Sequence, residues 1–335
     1  MRADSWFATS ELGLALARCS ILKFRGCCSK PRKCGFKILN PIFPKLPPVG
    51  SFFIAMIKIL VTNDDGIASP GLHALAMAMR PLGQVWVVAP DRERTAAAHA
   101  LTLHKPLRIT RVGTRVFSVN GTPTDCVNLA LKKLLRGMPA LVVSGINRGV
   151  NLGDDVTYSG TVSAALEGTI MGIPSVAVSQ ETGKTFRHDV AAFYASRVAR
   201  AVLKYGLPAE TLLNINVPDR PKAKIAGVRV AALSRRRFDE PIIEKTDPHG
   251  RKYYWIAGTR VSWSRQKNSD HEMLRRGFVT LTPIHLDVTH HEAMEQLREW
   301  EALIERRRNS GFSGLSRLSG LSRSTKQTRK TKRTR

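Results

Sequence analysis

Apolar residues in this chain form short runs that alternate with segments of helical spacing. The first run, MIKILVTNDDG, holds an almost continuous apolar block at residues 57–61, which is typical of a parallel strand buried on both faces. Further apolar runs occur at residues 84–91, 140–147 and 174–179, and helical spacing occurs at residues 71–80, 124–135 and 159–172. Strands that alternate with helices of this length predict βαβ units, and therefore an α/β fold with a doubly wound, mostly parallel sheet.

Beyond about residue 220 the pattern changes to an alternation of apolar and polar positions. The segments RKYYWIAGTRVSW and GFVTLTPIHLDVT alternate as antiparallel strands do, and HHEAMEQLREWEALIERRR has the spacing of a helix. We therefore expect a smaller C-terminal β-containing region that ends in a helix.

The positive charge of the chain is concentrated at its two ends. The formal net charge is +27, of which residues 1–55 contribute +7 and residues 306–335 contribute +11, so that +9 remains for residues 56–305. We interpret residues 1–55 as an extension that is disordered, a targeting peptide or the product of a start codon assigned too early; the last is favoured because Met56 directly precedes the first core strand. Residues 56–305 are the predicted folded domain, and residues 306–335 are a predicted disordered basic tail.

Cysteine usage and hydropathy limit the class of protein further. Four of the five cysteines lie in residues 1–55 and only Cys126 lies in the predicted folded domain, so a disulfide-built core is excluded. The spacing of the four N-terminal cysteines fits no standard zinc site. No apolar run reaches the roughly 20 residues of a membrane helix, and the N-terminus lacks the order of regions found in a secretory signal. The sequence predicts a soluble, cytoplasmic protein without a membrane partner.

Polar side chains follow the apolar strands, where an open parallel sheet binds its ligands. Asp64 and Asp65 follow the first strand, Thr95 lies shortly after the second, and Asn147 ends the third. Adjacent carboxylates repel each other unless a cation or hydrogen-bond donors compensate, and their oxygen atoms suit Mg²⁺ or Mn²⁺. The alternative is that Asp64 or Asp65 caps the following helix. A second acidic pair, at residues 154 and 155, is interpreted first as loop and capping residues.

A phosphate site is predicted at the start of a helix. Ser159, Gly160 and Thr161 open the helix at residues 159–172, where free backbone N–H groups and the helix dipole favour an anion, although a plain Ser/Thr cap has the same composition. The candidate phosphate-binding or substrate-binding residues are Asn63, Asn151, Ser159, Gly160, Thr161 and His99.

Six segments between Met56 and about residue 305 closely resemble motifs of the SurE family, the survival-protein phosphatases. The segments, in chain order, are ILVTNDDGIASPGLHALAMAM, VVAPDRERTAAAHALTL, GTPTDCVNLAL, LVVSGINRGVNLGDDVTYSGTVSAALEG, NINVP and TLTPIHLDVT. The resemblance implies a Rossmann-like sheet with a C-terminal oligomerisation arm, and assembly into homodimers or homotetramers. It also implies a metal-dependent 5′-nucleotidase that hydrolyses nucleoside 5′-monophosphates, with some members acting on 3′-monophosphates and short polyphosphate.

The resemblance further implies one divalent metal ion, Mg²⁺ or Mn²⁺, in each subunit. The family binds it through the two aspartates of NDDG, a serine after APD and the asparagine of SGIN, which correspond to Asp64, Asp65, Thr95 and Asn147. Thr95 replaces the family's serine, and His99 stands where many members carry asparagine. Asp64 and Asp65 are also the candidate catalytic residues, either by orienting or deprotonating water or by forming an aspartyl-phosphate.

The sequence raises two other functions. A nicotinamide-dependent dehydrogenase is disfavoured, because NDDG places acids where such enzymes have a glycine-rich turn for pyrophosphate. A nucleic-acid-binding protein, with the basic tail contacting RNA on a catalytically inactive SurE-like fold, is the remaining alternative.

Overall fold

The computed structural model describes residues 57–95, 98–183, 188–237, 242–255, 262–264 and 266–305. The predictions for the N-terminal extension, its cysteine cluster and the basic tail lie outside these residues. The chain forms two compact units, the first ending at Leu286 and the second beginning at Asp287. The described part of the second unit contains the helix His291–Glu305.

The first unit is built on a nine-stranded sheet. In chain order its strands are β1 (Lys58–Thr62), β2 (Gln84–Pro90), β3 (Ile109–Gly113), β4 (Val116–Val119), β5 (Leu141–Arg148), β6 (Ser175–Gln180), β7 (Thr211–Val217), β8 (Gly227–Val230) and β13 (Phe278–His285). The spatial order is β3-β4-β2-β1-β5-β6-β7-β13-β8. Only β3 with β4 and β7 with β13 pair antiparallel, so the predicted doubly wound, mostly parallel sheet is confirmed.

Helices cover both faces of this sheet. They are α1 (Pro70–Met79), α2 (Pro123–Leu129), α3 (Gly160–Ile170), α4 (His188–Tyr205) and the short α5 (Asp270–Arg275), and the helix of the second unit is α6. Alpha-helical geometry in α2 gives way to a π-helical turn over Ala130–Leu134, so the segment predicted as one helix has two parts.

The alternation of side chains along β1 divides the core into two layers. Ile59 and Val61 pack on one face with residues of α1 and α4, whereas Leu60 packs on the other face with residues of α2 and α3. Successive side chains of a strand point to opposite faces, so a strand covered on both faces must be apolar throughout. This double coverage is the physical reason for the continuous apolar run in MIKILVTNDDG.

The predicted smaller C-terminal β-containing region is divided between the sheet and two separate ribbons. β13 pairs antiparallel with β7 and parallel with β8, so the segment GFVTLTPIH extends the main sheet. The ribbons are β10 (Ile243–Thr246) with β11 (Lys252–Trp255), and β9 (Arg236–Arg237) with β12 (Ser262–Trp263). No helix among the described residues is long and apolar enough to cross a membrane.

Candidate functional site

The three predicted strand exits are neighbours in the sheet. β1 lies between β2 and β5, and all three run parallel, so their carboxyl ends meet at one edge. Asp64 and Asp65 follow β1, and Thr95 lies in the loop that follows β2. Asn147 is the penultimate residue of β5, just beyond a shift in the register between β5 and β6. The topology therefore brings the four predicted metal-binding residues to the same end of the sheet.

The loop after β1 is fixed to the loop after β2. The side-chain amide of Asn63 donates a hydrogen bond to the carbonyl oxygen of Gly66 at 3.1 Å, and the N–H of Ile67 donates to the carbonyl oxygen of Pro90 at 2.8 Å. Gly66 has a φ of +96°, and a Cβ atom there would lie 2.9 Å from the backbone of Arg92. A glycine is required by both the backbone angle and this close approach.

Neither aspartate of the acidic pair is the N-cap of the following helix. Helix α1 begins at Pro70, and its N-cap residue is Ser69. The capping alternative raised by the sequence is therefore wrong, and the compensation of the acidic pair has to come from other groups.

Asp64 is buried and contacts the start of α3. Its side chain accepts a hydrogen bond from the hydroxyl of Thr161, and its backbone carbonyl accepts one from the N–H of Arg94 at 2.8 Å. Burial raises the pKa of the Asp64 carboxyl above its usual value, although the hydrogen bond from Thr161 opposes that shift. A Cβ atom at Gly160 would lie 2.8 Å from the Cβ atom of Asp64. The predicted cation site and the predicted phosphate site are thus in direct contact.

Asp65 is half-buried, and its surroundings disfavour the ionised form of its carboxyl. Burial, followed by the negative charges of Asp64 and Glu93, raises the pKa of Asp65 to about 6, while a hydrogen bond from Ser69 and the positive charge of Arg148 oppose this shift. Two adjacent carboxylates with raised pKa values would gain from a cation placed between them.

Thr95 contacts a carboxylate that the sequence analysis did not single out. Its hydroxyl donates a hydrogen bond to Oε1 of Glu93 at 2.5 Å. The charge of Glu93 also raises the pKa values of Asp64 and Asp65, so this side chain lies close to the acidic pair. The only sequence signal for a role of Glu93 at this site is its position two residues before Thr95, the candidate hydroxyl ligand.

The two candidate asparagines differ in how strongly they are fixed. The amide nitrogen of Asn147 donates to the carbonyl oxygen of Gly149 at 2.9 Å, which leaves its side-chain oxygen as the atom suited to a cation. Asn151 is buried, and its amide nitrogen donates to the hydroxyl of Ser179 at 2.8 Å. Its backbone is held by hydrogen bonds with Asn214 and Asn216. Asn151 therefore anchors the loop between β5 and α3.

At the start of α3, each of the three predicted residues has its own structural role. The hydroxyl of Ser159 accepts a hydrogen bond from the N–H of Val162 at 3.2 Å, so Ser159 is the helix cap that the sequence analysis gave as the alternative. Gly160 makes room for Asp64, and Thr161 donates to it.

His99 lies in the loop after β2 and forms part of a second polar cluster. Its Nε2 atom is 2.7 Å from Oε2 of Glu167, and the amide nitrogen of Asn128 donates to Oε1 of Glu167 at 2.5 Å. Of this cluster, the sequence motifs indicate only His99, because its two partners lie 29 and 68 positions further along the chain.

The second acidic pair holds a ribbon strand in place. The carboxylate of Asp154 accepts a hydrogen bond from the backbone N–H of Arg236 at 2.8 Å, and the carboxylate of Asp155 forms an ion pair with the guanidinium of Arg236 at 2.7 Å. Both carboxylates thus have partners within the protein, in keeping with the structural interpretation of this pair.

The chemistry of the strand-end cluster fits a hard divalent cation. Within the described residues, no group of three or more His, Cys, Asp and Glu side chains is placed to hold a metal ion. The strand-end cluster instead combines two carboxylates with hydroxyl and amide oxygens, and such oxygen donors suit Mg²⁺ or Mn²⁺ better than zinc.

The fold and this cluster define an α/β protein with an acidic strand-end site beside a helix start. A family model described as "Survival protein SurE" matches residues 59–240. The chain is 52% identical to "5'-nucleotidase SurE" of Geotalea daltonii over 246 residues, which cover 73% of this chain and 99% of the relative. It is 51% identical to "5'-nucleotidase SurE" of Geobacter sulfurreducens over 73% of this chain and 94% of that one. The chain belongs to the SurE family.

A solved structure supports the same assignment. The crystal structure of the SurE protein from Aquifex aeolicus aligns with a TM-score of 0.66 at 38% sequence identity. The alignment covers 73% of this chain and 99% of the other. The resemblance to the SurE family that the sequence motifs indicated is confirmed.

Proposed function

We propose that this chain is a metal-dependent 5′-nucleotidase that hydrolyses nucleoside 5′-monophosphates to nucleoside and phosphate. The observation that carries the proposal is the hydrogen bond between Asp64, the buried member of the acidic pair, and Thr161 at the start of α3. A cation site and an anion site that touch in this way suit a phosphate ester. The two relatives described above, each at least 51% identical, carry the name 5'-nucleotidase.

Asp64, Asp65, Thr95 and Asn147 are the residues that would hold one divalent cation, Mg²⁺ or Mn²⁺. When bound, such an ion would supply positive charge that neutralises the phosphate oxygens as the ester bond breaks. Glu93 accepts a hydrogen bond from the Thr95 hydroxyl, so that the lone pairs of Oγ1 stay available to a cation.

The remaining steps belong to side chains and backbone groups of this protein. The helix dipole at the start of α3 favours the phosphate, with Asn63, Asn151 and Ser159 shaping the surrounding loops, while the N–H groups of Thr161 and Val162 donate to Asp64 and Ser159. One carboxylate accepts the proton of the attacking water. Asp64 is buried and accepts a hydrogen bond from Thr161, whereas Asp65 is more accessible, so Asp65 is the better-placed base.

The activity is tested by phosphate release from AMP, GMP and p-nitrophenyl phosphate with Mg²⁺, with Mn²⁺ and with EDTA. We expect release that requires the metal and that falls by at least about a hundredfold in Asp64→Asn, because that change removes charge from the reacting centre. Asp91→Asn is the matched control, since Asp91 follows the neighbouring strand and is exposed. Equal rates in wild type and Asp64→Asn would contradict the proposal.

Assembly into homodimers or homotetramers is proposed alongside the activity. The β10–β11 ribbon exposes large apolar side chains, with Tyr254 at 57% and Trp255 at 56% exposed, and such side chains gain from burial against another chain. Light scattering on the purified protein tests this, and a monomer at all concentrations would contradict it.

A further inference from the structure

His99, Glu167 and Asn128 form a connected polar cluster that the proposed phosphate chemistry does not use. Glu167 lies on α3 and its side chain is only 5% exposed, whereas the imidazole of His99 is 33% exposed. Asn128 lies on α2 and donates to one carboxylate oxygen of Glu167, while His99 contacts the other. A buried carboxylate is thus satisfied by two donors, and one of these reaches the surface.

The cluster fixes which ring nitrogen of His99 faces outward. In this contact the carboxylate oxygen of Glu167 is the acceptor, which assigns the ring N–H to Nε2 of His99. This leaves Nδ1 as the nitrogen that can accept a hydrogen bond from a substrate hydroxyl or amine. A partner carboxylate that selects the tautomer of a histidine in this way also fixes the ring orientation.

The loop that carries His99 is anchored at both ends. Before it, the N–H of Arg94 donates to the backbone carbonyl of Asp64 at 2.8 Å. After it, the hydroxyl of Thr122 donates to the carbonyl oxygen of Ala100 at 2.8 Å. The loop therefore runs from the acidic strand-end site to the start of α2, and His99 lies along that path.

Glu167 lies further along α3 than the residue that contacts the acidic pair. Thr161 contacts Asp64, and Glu167 is six residues further along the same helix, which corresponds to about 9 Å of helical rise. His99 thus contacts α3 beyond its first turn. A nucleoside attached to a phosphate at the start of α3 is long enough to extend to that part of the helix.

From this geometry we infer that His99 binds the nucleoside half of the substrate, with Glu167 and Asn128 as its positioning residues. The inference rests on the proposed nucleotidase function and extends it, because it assigns a residue that distinguishes nucleotides from other phosphate esters. A phosphate ester without a nucleoside would bind without contacting His99.

The test compares AMP with p-nitrophenyl phosphate as substrates of the full chain. We expect His99→Ala to raise the KM for AMP about tenfold, as loss of one hydrogen bond does, with kcat within about twofold. The KM for p-nitrophenyl phosphate stays unchanged. Glu167→Gln, which keeps the shape of the side chain and loses the charge that orients His99, raises the KM for AMP several-fold and also spares the smaller substrate.

His104→Ala is the matched control, because His104 is an exposed histidine of the same loop without a hydrogen bond to any described residue. It should leave both KM values unchanged. Equal losses on both substrates in His99→Ala would assign the cluster a purely structural role and overturn the inference, as would an unchanged KM for AMP. Absence of hydrolysis by the wild-type protein would overturn the proposed function itself, and the inference with it.

Discussion

The hydroxyl of Thr161, at the start of α3, donates a hydrogen bond to the carboxylate of Asp64, at the end of β1. Both side chains are buried, with Thr161 at 0% and Asp64 at 4% exposed. This hydrogen bond lowers the pKa of Asp64 against the larger, opposite effect of burial. The hydrogen bond from Thr161 thus helps to keep Asp64, a candidate metal ligand, ionised. It also joins Asp64 to the helix start where a phosphate would bind.

Thr161→Val tests the role of this contact. Without the hydroxyl the pKa of Asp64 rises further, so Mn²⁺ affinity should fall more at pH 6.5 than at pH 8. The protein should also lose about 1–3 kcal/mol of unfolding free energy, because a buried carboxylate loses one of its hydrogen-bond donors. Calorimetric titration with Mn²⁺ at both pH values and urea denaturation measure these effects. Thr161→Ser keeps the hydroxyl and should resemble wild type; equal behaviour of the two variants would contradict the assignment.

Asp65→Asn is expected to stabilise the cation-free protein at neutral pH. The pKa of Asp65 is about 6 in the folded protein against a usual value of 3.8, so folding favours the protonated form. That contribution is present in full below about pH 4 and is lost as the pH rises through about 6. The neutral amide removes this dependence and the repulsion from Asp64.

Melting temperatures in EDTA and in Mn²⁺ measure the stability of the cation-free protein and the stabilisation that the cation adds. At pH 7.5 the Asp65→Asn protein should melt higher than wild type in EDTA, yet gain little from Mn²⁺, because the stabilisation by a ligand that binds only the folded state grows with the logarithm of its affinity. Asp91→Asn should match wild type in both buffers. A lower melting temperature for Asp65→Asn in EDTA would refute the electrostatic account.

Thr95 is expected to tolerate serine and not alanine. Serine keeps the hydroxyl that donates to Glu93, so Thr95→Ser should retain Mn²⁺ affinity and activity. Thr95→Ala removes an oxygen ligand, and Glu93→Gln weakens its orientation, so both should reduce Mn²⁺ affinity by about 10-fold to 100-fold. Full affinity and activity in Thr95→Ala would remove Thr95 from the site.

Substitution of Gly160 by any larger residue is expected to reduce activity. The added Cβ atom of Gly160→Ala would lie 2.8 Å from the Cβ atom and 3.0 Å from Oδ2 of Asp64, so the carboxylate has to move. We expect a loss of AMP hydrolysis of about a hundredfold, because small displacements of a catalytic group are costly. Assays of AMP hydrolysis at saturating Mn²⁺ measure this, and a wild-type rate would show that Asp64 need not stay in this position.

Local sequence patterns predicted the strands and site residues whose positions depend only on neighbouring residues in the chain. The buried strands β1, β2, β5 and β6 follow from continuous apolar runs, and the acidic pair follows from its place directly after β1. The exposed edge strand β3 was not predicted, because it has no buried face to impose a pattern.

Contacts between distant segments were beyond the reach of such patterns. Nothing in the sequence pairs Thr161 with Asp64, 97 positions earlier, or His99 with Glu167, 68 positions later. Likewise β13 alternates like any antiparallel strand, and only the sheet topology decides that it pairs with β7. The candidate ligands were therefore predictable from motifs, whereas the residues that orient them were not.

The most direct test of the account is equilibrium binding of Mn²⁺ to the purified full chain and to Asp64→Asn, measured by the electron paramagnetic resonance signal of free Mn²⁺. The account predicts one tightly bound Mn²⁺ per wild-type chain and loss of that binding in the variant, since Asp64 is assigned as a ligand. Equal binding by the two proteins would place the ion elsewhere and contradict the assignment of a metal site to the strand-end cluster.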